Sequence, residues 1–256
     1  MKYSVIIPTL NSRDDLDTLF DSIEKNNIQG MSELVFVDAG SKDGTIDIIN
    51  RYKEKYNYLK LIECGMVSKG KGRNLGVKAA TGDVIIHTDS DVEFLPGWFE
   101  AIQDSMGYAD IVAGFSPDPE GKHLPRVPIY VDGQDITYPT CNIAYKKEVF
   151  ERVGLYNEVQ NMPEDCEFHY RCVKAGYIIH YNPDMKLHHH QRSGRIGFAK
   201  QAFWNGEARY ELNKLYPELK HSHQHGASFK NLLRLGFGFG GFVIGRFMNK
   251  KGEKVD

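Results

Sequence analysis

Residues 70–91, GKGRNLGVKAATGDVIIHTDSD, contain the unit from which the chain is built. Leu75, Val77 and the Ala79–Ala80 pair suit a helix of small residues, and VIIHTD follows as a strand that runs into acidic residues. Working outward to the N-terminus, the same alternation recurs. SVIIP (4–8) precedes Leu16, Leu19, Phe20 and Ile23 at helical spacing. ELVFVD (33–38) precedes Ile46, Ile49, Tyr52 and Lys53, and YLKLIE (58–63) is a third strand before the quoted stretch. Strands alternating with helices predict an α/β fold with a mainly parallel central sheet flanked by helices. Ligands of such sheets sit at the carboxyl ends of the strands, which makes Thr9 and Asn11, Asp38, and Asp89 with Asp91 the candidate residues.

Towards the C-terminus the pattern changes. Residues 116–140 hold five of the ten prolines and read as a long irregular loop. KKEVFERVG and EDCEFHYRCVKAG each read as a helix ending at glycine, GYIIHYNP reads as another strand, and from His188 onward a helical extension is expected. The apolar run 235–245, LGFGFGGFVIG, has 11 residues, short of the ~20 of a spanning helix. Two readings are open for it: packing on the rest of the chain or, with Lys230, Arg234, Arg246, Lys250 and Lys251 as basic flanks, contact with a membrane surface through residues 228–251.

Composition narrows the function classes. The 256 residues carry 32 Lys and Arg against 34 Asp and Glu, a formal charge of −2, without the basic excess of general nucleic-acid binding. Cys64, Cys141, Cys166 and Cys172 form no CxxC pair, which argues against a structural zinc site or disulfide framework and points to a reducing, cytoplasmic compartment. The five-residue apolar stretch before Asn11 is shorter than a signal peptide's, so secretion is not expected.

The strongest chemical signal is His87-Thr88-Asp89-Ser90-Asp91 at a strand end. Carboxylates at i and i+2 can converge on a hard divalent cation and the ligand it carries, although Asp and Ser also favour plain turns. Glu164-Asp165 opens a helix, where acids are favoured by the positive end of the dipole; a carboxylate there can also serve as a general base. GKGRNLG lacks the G-x-G-x-x-G spacing and follows the third strand, so a dinucleotide site is not expected.

VIIPTLN, VDAGSKDGT (37–45), GKGRNLGVKAATGDVIIHTDSD and VGLYNE…EDCEFHYRCVKAGY (153–177) occur in an order that resembles family 2 glycosyltransferases over residues 3–193. The resemblance implies a GT-A fold over residues 1–190, with a nucleotide-binding half (1–92), an acceptor half (93–190) and the extension 191–256. It implies an inverting transferase that takes a UDP-, GDP- or dTDP-sugar and uses Mn2+ or Mg2+, with a glycan or lipid-linked acceptor. Pro8, Thr9 and Asn11 would line the nucleotide pocket and Asp38 would bond the base, although Ala39 stands where the family often has a second acid. Arg73, Asp89, Ser90 and Glu164 join the substrate-binding residues, Asp91 is the expected metal ligand, and Asp165 is the expected base. A histidine after the last strand completes the metal site in the family. His188 is the match, with His189 one register step away. Two rivals stand beside this: a nucleotidylyltransferase, whose Gly-rich loop after the first strand is missing from VIIPTLNSRDD, and a non-catalytic sugar-nucleotide or glycan-binding module, against which Asp91 and Asp165 together argue.

Overall fold

The computed structural model describes residues 1–28, 32–117, 128–159, 162–190 and 206–221. The first half runs β1 (Tyr3–Thr9), α1 (Arg13–Lys25), β2 (Ser32–Asp38), α2 (Thr45–Lys55), β3 (Leu59–Glu63), α3 (Lys69–Ala79) and β4 (Val84–Thr88). The second half adds β5 (Val92–Phe94), α4 (Trp98–Met106), β6 (Ile111–Phe115), the hairpin β7 (Tyr130–Val131) and β8 (Gln134–Asp135), β9 (Asn142–Lys146), α5 (Lys147–Val153), α6 (Glu164–Lys174) and β10 (Ile179–His189). A helical segment 206–215 and a 3-10 turn Pro217–His221 follow.

Alternation along each strand sorts the core into two layers, as the period of two requires. Val5, Ile7, Leu34, Phe36, Val84 and Ile86 face α1 and α4, whereas Ile6, Val35, Val37 and Ile85 face α3, α5 and α6. Apolar residues on both faces are what a parallel sheet covered on both sides demands. Helix α3 shows that packing outweighs propensity. Gly70, Gly72 and Gly76 each cost about 1 kcal/mol relative to alanine in a helix interior. A Cβ on Gly76, however, would stand 2.4 Å from Ile6 Cγ2, and one on Gly70 would stand 2.0 Å from the Asn157 carbonyl oxygen. These glycines let the helix lie close on the sheet and on the 157–158 loop.

The eight-stranded order is β3-β2-β1-β4-β9-β6-β10-β5. The first four strands are parallel, and the α/β architecture with helices on both faces is as expected. Beyond β4 the sheet is mixed rather than parallel: β9 runs antiparallel to both β4 and β6, β10 is parallel to β6, and β5 is antiparallel to β10. Strand direction is set by the connections and leaves no mark in the short apolar runs IVAGF and NIAYK.

Two further expectations change. The expected loop 116–140 contains the β7–β8 hairpin, and the expected helical extension from His188 begins instead as the end of β10. The run 228–251 lies outside the described residues. Helices α1 and α2 cover one face and α3 the other, so the topology switches between β1 and β4, and a crevice forms at their carboxyl ends.

Candidate active site

The loops after β1 and β2 are built by mutual capping. Asn11, at φ 52°, donates its N–H to Ser41 Oγ (2.8 Å) and accepts the Lys42 N–H at Oδ1 (2.9 Å). Ser12 N–H donates to Thr45 Oγ1 at 2.8 Å, and Ala39 N–H to the Thr9 carbonyl at 2.9 Å. Asp38 is completely buried, accepting Gly40 and Ser41 N–H at Oδ1 (both 2.8 Å) and Ser41 Oγ–H at Oδ2 (2.5 Å). Its carboxylate shapes the loop at the end of β2, where the sequence reading expects it to bond the base. Pro8 is half-buried in the last stretch of β1, and among the described residues the buried Thr9 Oγ1 has no hydrogen-bond partner.

The β4–β5 turn is tied to this loop by a 2.7 Å hydrogen bond between Ser12 Oγ and Ser90 Oγ, both buried. Ser90 thus fixes the turn that presents its neighbours Asp89 and Asp91. His189, at the end of β10, meets them: Nε2 lies 3.0 Å from Asp91 Oδ1 and 3.9 Å from Asp89 Oδ2. One ligand atom from each of the three falls within 4.8 Å of the others. Burial opposes a charge on this imidazole, but hydrogen bonds to Asp91 and Cys141 push its pKa up to about 11. His188 is turned to Glu93, with Nδ1 3.8 Å from Oε2. The histidine that the fold brings to the acids is therefore His189, not the expected His188. In an extended strand successive side chains point to opposite faces, and the pairing of His189 with Val92 decides which one reaches the turn.

Arg73 of α3 connects this turn to α6. Its Nη2 lies 3.3 Å from Asp89 Oδ1 and its Nε 3.4 Å from Glu164 Oε1. Burial acts against its charge, but Asp89 and Glu164 more than restore it, so the guanidinium is held protonated. Among the described residues Nη1 is buried without a hydrogen-bond partner, as is Thr88 Oγ1. Buried polar groups are rarely left so, and a cluster of them in a crevice marks where a polar ligand is expected.

At the head of α6, burial and the neighbouring Asp165 raise the pKa of Glu164 despite Arg73. Asp165 is half-buried, accepts the Cys166 N–H at 2.8 Å, and enters no ion pair among the described residues. Behind the site His87 is fully enclosed by Tyr145, Phe150 and Tyr156, and burial, then Arg73, keep its pKa well below the usual value.

Sequence reasoning missed Ser12, the bridging geometry of Arg73, and Asn74. The Asn74 side chain holds both the N–H (2.9 Å) and carbonyl (2.9 Å) of Tyr156. Ser12 and Asn74 stand directly beside Asn11 and Arg73, so their positions in the motifs were the available signal.

The model of glycosyl transferase family 2 matches residues 4–154, more than half of the chain. A poly(ribitol-phosphate) beta-glucosyltransferase of Bacillus spizizenii is 33% identical over 133 residues, covering 49% of this chain and 21% of that protein. The O-antigen chain rhamnosyltransferase RfbN of Salmonella typhimurium is 26% identical over 220 residues, covering 74% and 66%. The chain spans about a fifth to two-fifths of the length of the first curated relatives it matches. Among solved structures, Staphylococcus aureus TarS 1–349 in complex with UDP-GlcNAc superposes with a TM-score of 0.69 at 23% identity, covering all of this chain and 76% of that one. Mannosyltransferase PcManGT from Pyrobaculum calidifontis, in complex with GDP-Man and Mn2+, gives 0.67 at 17% identity, covering 98% and 79%. Both similarities concern the fold, which is GT-A.

Proposed function

Since this chain belongs to glycosyl transferase family 2, we propose that it is a metal-dependent enzyme moving a sugar from a nucleoside-diphosphate sugar to a hydroxyl of a glycan or lipid-linked acceptor. One observation carries the proposal: Arg73 spans from Asp89, beside Asp91 and His189, three side chains that could hold a cation, to Glu164, the neighbour of the half-buried Asp165. Two carboxylates and an imidazole suit a hard or borderline divalent ion, Mn2+ or Mg2+. When bound, such an ion neutralises the charge that grows on the departing diphosphate.

The chain's own residues do the rest. Arg73, kept charged, adds a second fixed positive charge where that diphosphate would lie. Thr9 and Asn11 flank the nucleoside, with Asp38 setting the shape of their loop. Asp165 takes the proton of the acceptor hydroxyl as its oxygen attacks the anomeric carbon. The bond from that carbon to the diphosphate oxygen breaks, and the configuration inverts. Glu164 suits this role less, because it is nearly fully buried and held by Arg73.

The four free thiols support a cytoplasmic location, and residues 228–251 remain the segment proposed for membrane contact. Among the described residues no helix is long and apolar enough to cross a membrane. A panel of UDP-, GDP- and dTDP-sugars, read by Mn2+-dependent cleavage, identifies the donor. Asp165→Asn should keep nucleotide affinity and lose about 10²–10⁴-fold in transfer. Near-wild-type transfer in that variant would move the base to Glu164.

A further inference from the structure

Glu167 follows Asp165 by two residues on α6 and is a carboxylate only 3% exposed. Arg171 closes on it as a fork, with Nε donating to Oε1 at 2.8 Å and Nη2 to Oε2 at 2.9 Å. The same guanidinium donates to the carbonyls of Val153 (2.8 Å) and Leu155 (2.7 Å). The next residue, Tyr156, is the one gripped at both backbone groups by Asn74, beside Arg73 on α3. Helices α3 and α6 are therefore tied twice, directly through Arg73 and Glu164, and indirectly through Asn74, residues 155–156, Arg171 and Glu167.

A third hand comes from the segment 206–221. Its Tyr216 hydroxyl donates to Glu167 Oε1 at 2.9 Å, and its ring stacks on Tyr170 with centroids 3.9 Å apart. The Tyr170 hydroxyl donates in turn to Glu218, and Leu212 and Leu219 are buried in the same core layer as α6.

We propose that Glu167, Arg171 and Tyr216 are positioning residues that fix the opening of α6 and so aim Asp165 at the acceptor hydroxyl; this rests on the assignment of Asp165 as base. The body of α6 is held by the fully buried Phe168 and by His169, whose ring nitrogens meet the Tyr145 hydroxyl (2.6 Å) and the Ile136 carbonyl (3.0 Å). The Glu167 anchor adds a constraint on the opening of the helix, two residues from Asp165. A buried ion pair adds little net stability compared with apolar residues of similar volume, whereas a bidentate fork allows one orientation. Residues 206–221 thus take part, through Tyr216, in positioning the carboxylate.

The test uses the full chain with Tyr216→Phe, Glu167→Gln, Asp165→Asn and the double variant Tyr216→Phe/Asp165→Asn. Binding of UDP or GDP with Mn2+ is followed by calorimetry. Turnover is measured with water as acceptor, on whichever of UDP-GlcNAc, UDP-glucose, GDP-mannose and dTDP-rhamnose is cleaved fastest. Tyr216→Phe and Glu167→Gln should leave nucleotide affinity within about twofold and lower kcat roughly 10–100-fold with KM unchanged, the cost expected of a misplacement near 1 Å. In the Asp165→Asn background Tyr216→Phe should cost nothing more. Unchanged kcat in Tyr216→Phe, or an equal loss with and without Asp165, overturns the clamp. Near-wild-type turnover in Asp165→Asn alone overturns the base assignment, and the clamp with it. If Glu167→Gln does not fold, Tyr216→Phe, which keeps the ring stack, decides.

Discussion

Glu33 lies on β2 far from the crevice and is 6% exposed. Ser4 Oγ–H (2.6 Å), Thr81 Oγ1–H (3.0 Å) and Thr81 N–H donate to its Oε1, and Lys60 Nζ lies 2.6 Å from Oε2. Burial raises its pKa, but the Lys60, Ser4 and Thr81 contacts prevail and bring it to about 2 from an ordinary 4.5. A carboxylate whose folded pKa is depressed adds stability above its unfolded pKa and loses it as pH falls through the folded one. That depression contributes about 3 kcal/mol at pH 7, roughly half of it is lost by pH 3, and little is left at pH 2.

Glu33→Gln removes the charge while keeping the shape. It should lower the urea-unfolding free energy by up to about 3 kcal/mol at pH 7 and converge on wild type near pH 2, other titrating groups cancelling in the difference. Because Glu33 joins β1, β2 and the α3–β4 turn away from the crevice, Mn2+-dependent nucleotide affinity at pH 7 should not change. A gap between variant and wild type that stays constant from pH 7 to pH 2 would refute the reasoning.

Three further outcomes follow from the site and the core. His189→Ala should weaken Mn2+ binding at least about tenfold and His188→Ala should not, measured by calorimetry; the reverse would mean that β10 pairs in another register. Chelation by EDTA should stop donor cleavage and added Mn2+ should restore it, whereas turnover indifferent to chelation would exclude a metal role for Asp91. Gly76→Ala should lower thermal stability by about 1–3 kcal/mol despite the better helix propensity of alanine, since its Cβ would stand 2.4 Å from Ile6 Cγ2; a raised melting temperature would show that α3 can back away.

The features legible along the chain are local ones. The β-branched runs, the helical spacing of Leu16, Leu19, Phe20 and Ile23, and the polar residues closing each run are consequences of neighbours along the chain. They were enough to place Thr9, Asp38, Asp89 and Asp91 at strand ends and Glu164–Asp165 at a helix start. The tertiary structure decided everything that depends on which elements meet. Strand β9 entered antiparallel between β4 and β6, and a one-residue choice of register on β10 sent His189 to the acids and His188 away. Arg73 reaches residues 16 and 91 positions distant, and Glu167 meets a tyrosine 49 positions on. Contacts at such separations leave no periodic trace in the sequence. They exist because packing on a twisted sheet brings the ends of α3, α6 and β4 into one crevice, and the identity of a ligand or a partner is settled there by side-chain direction, which on a strand reverses with every residue.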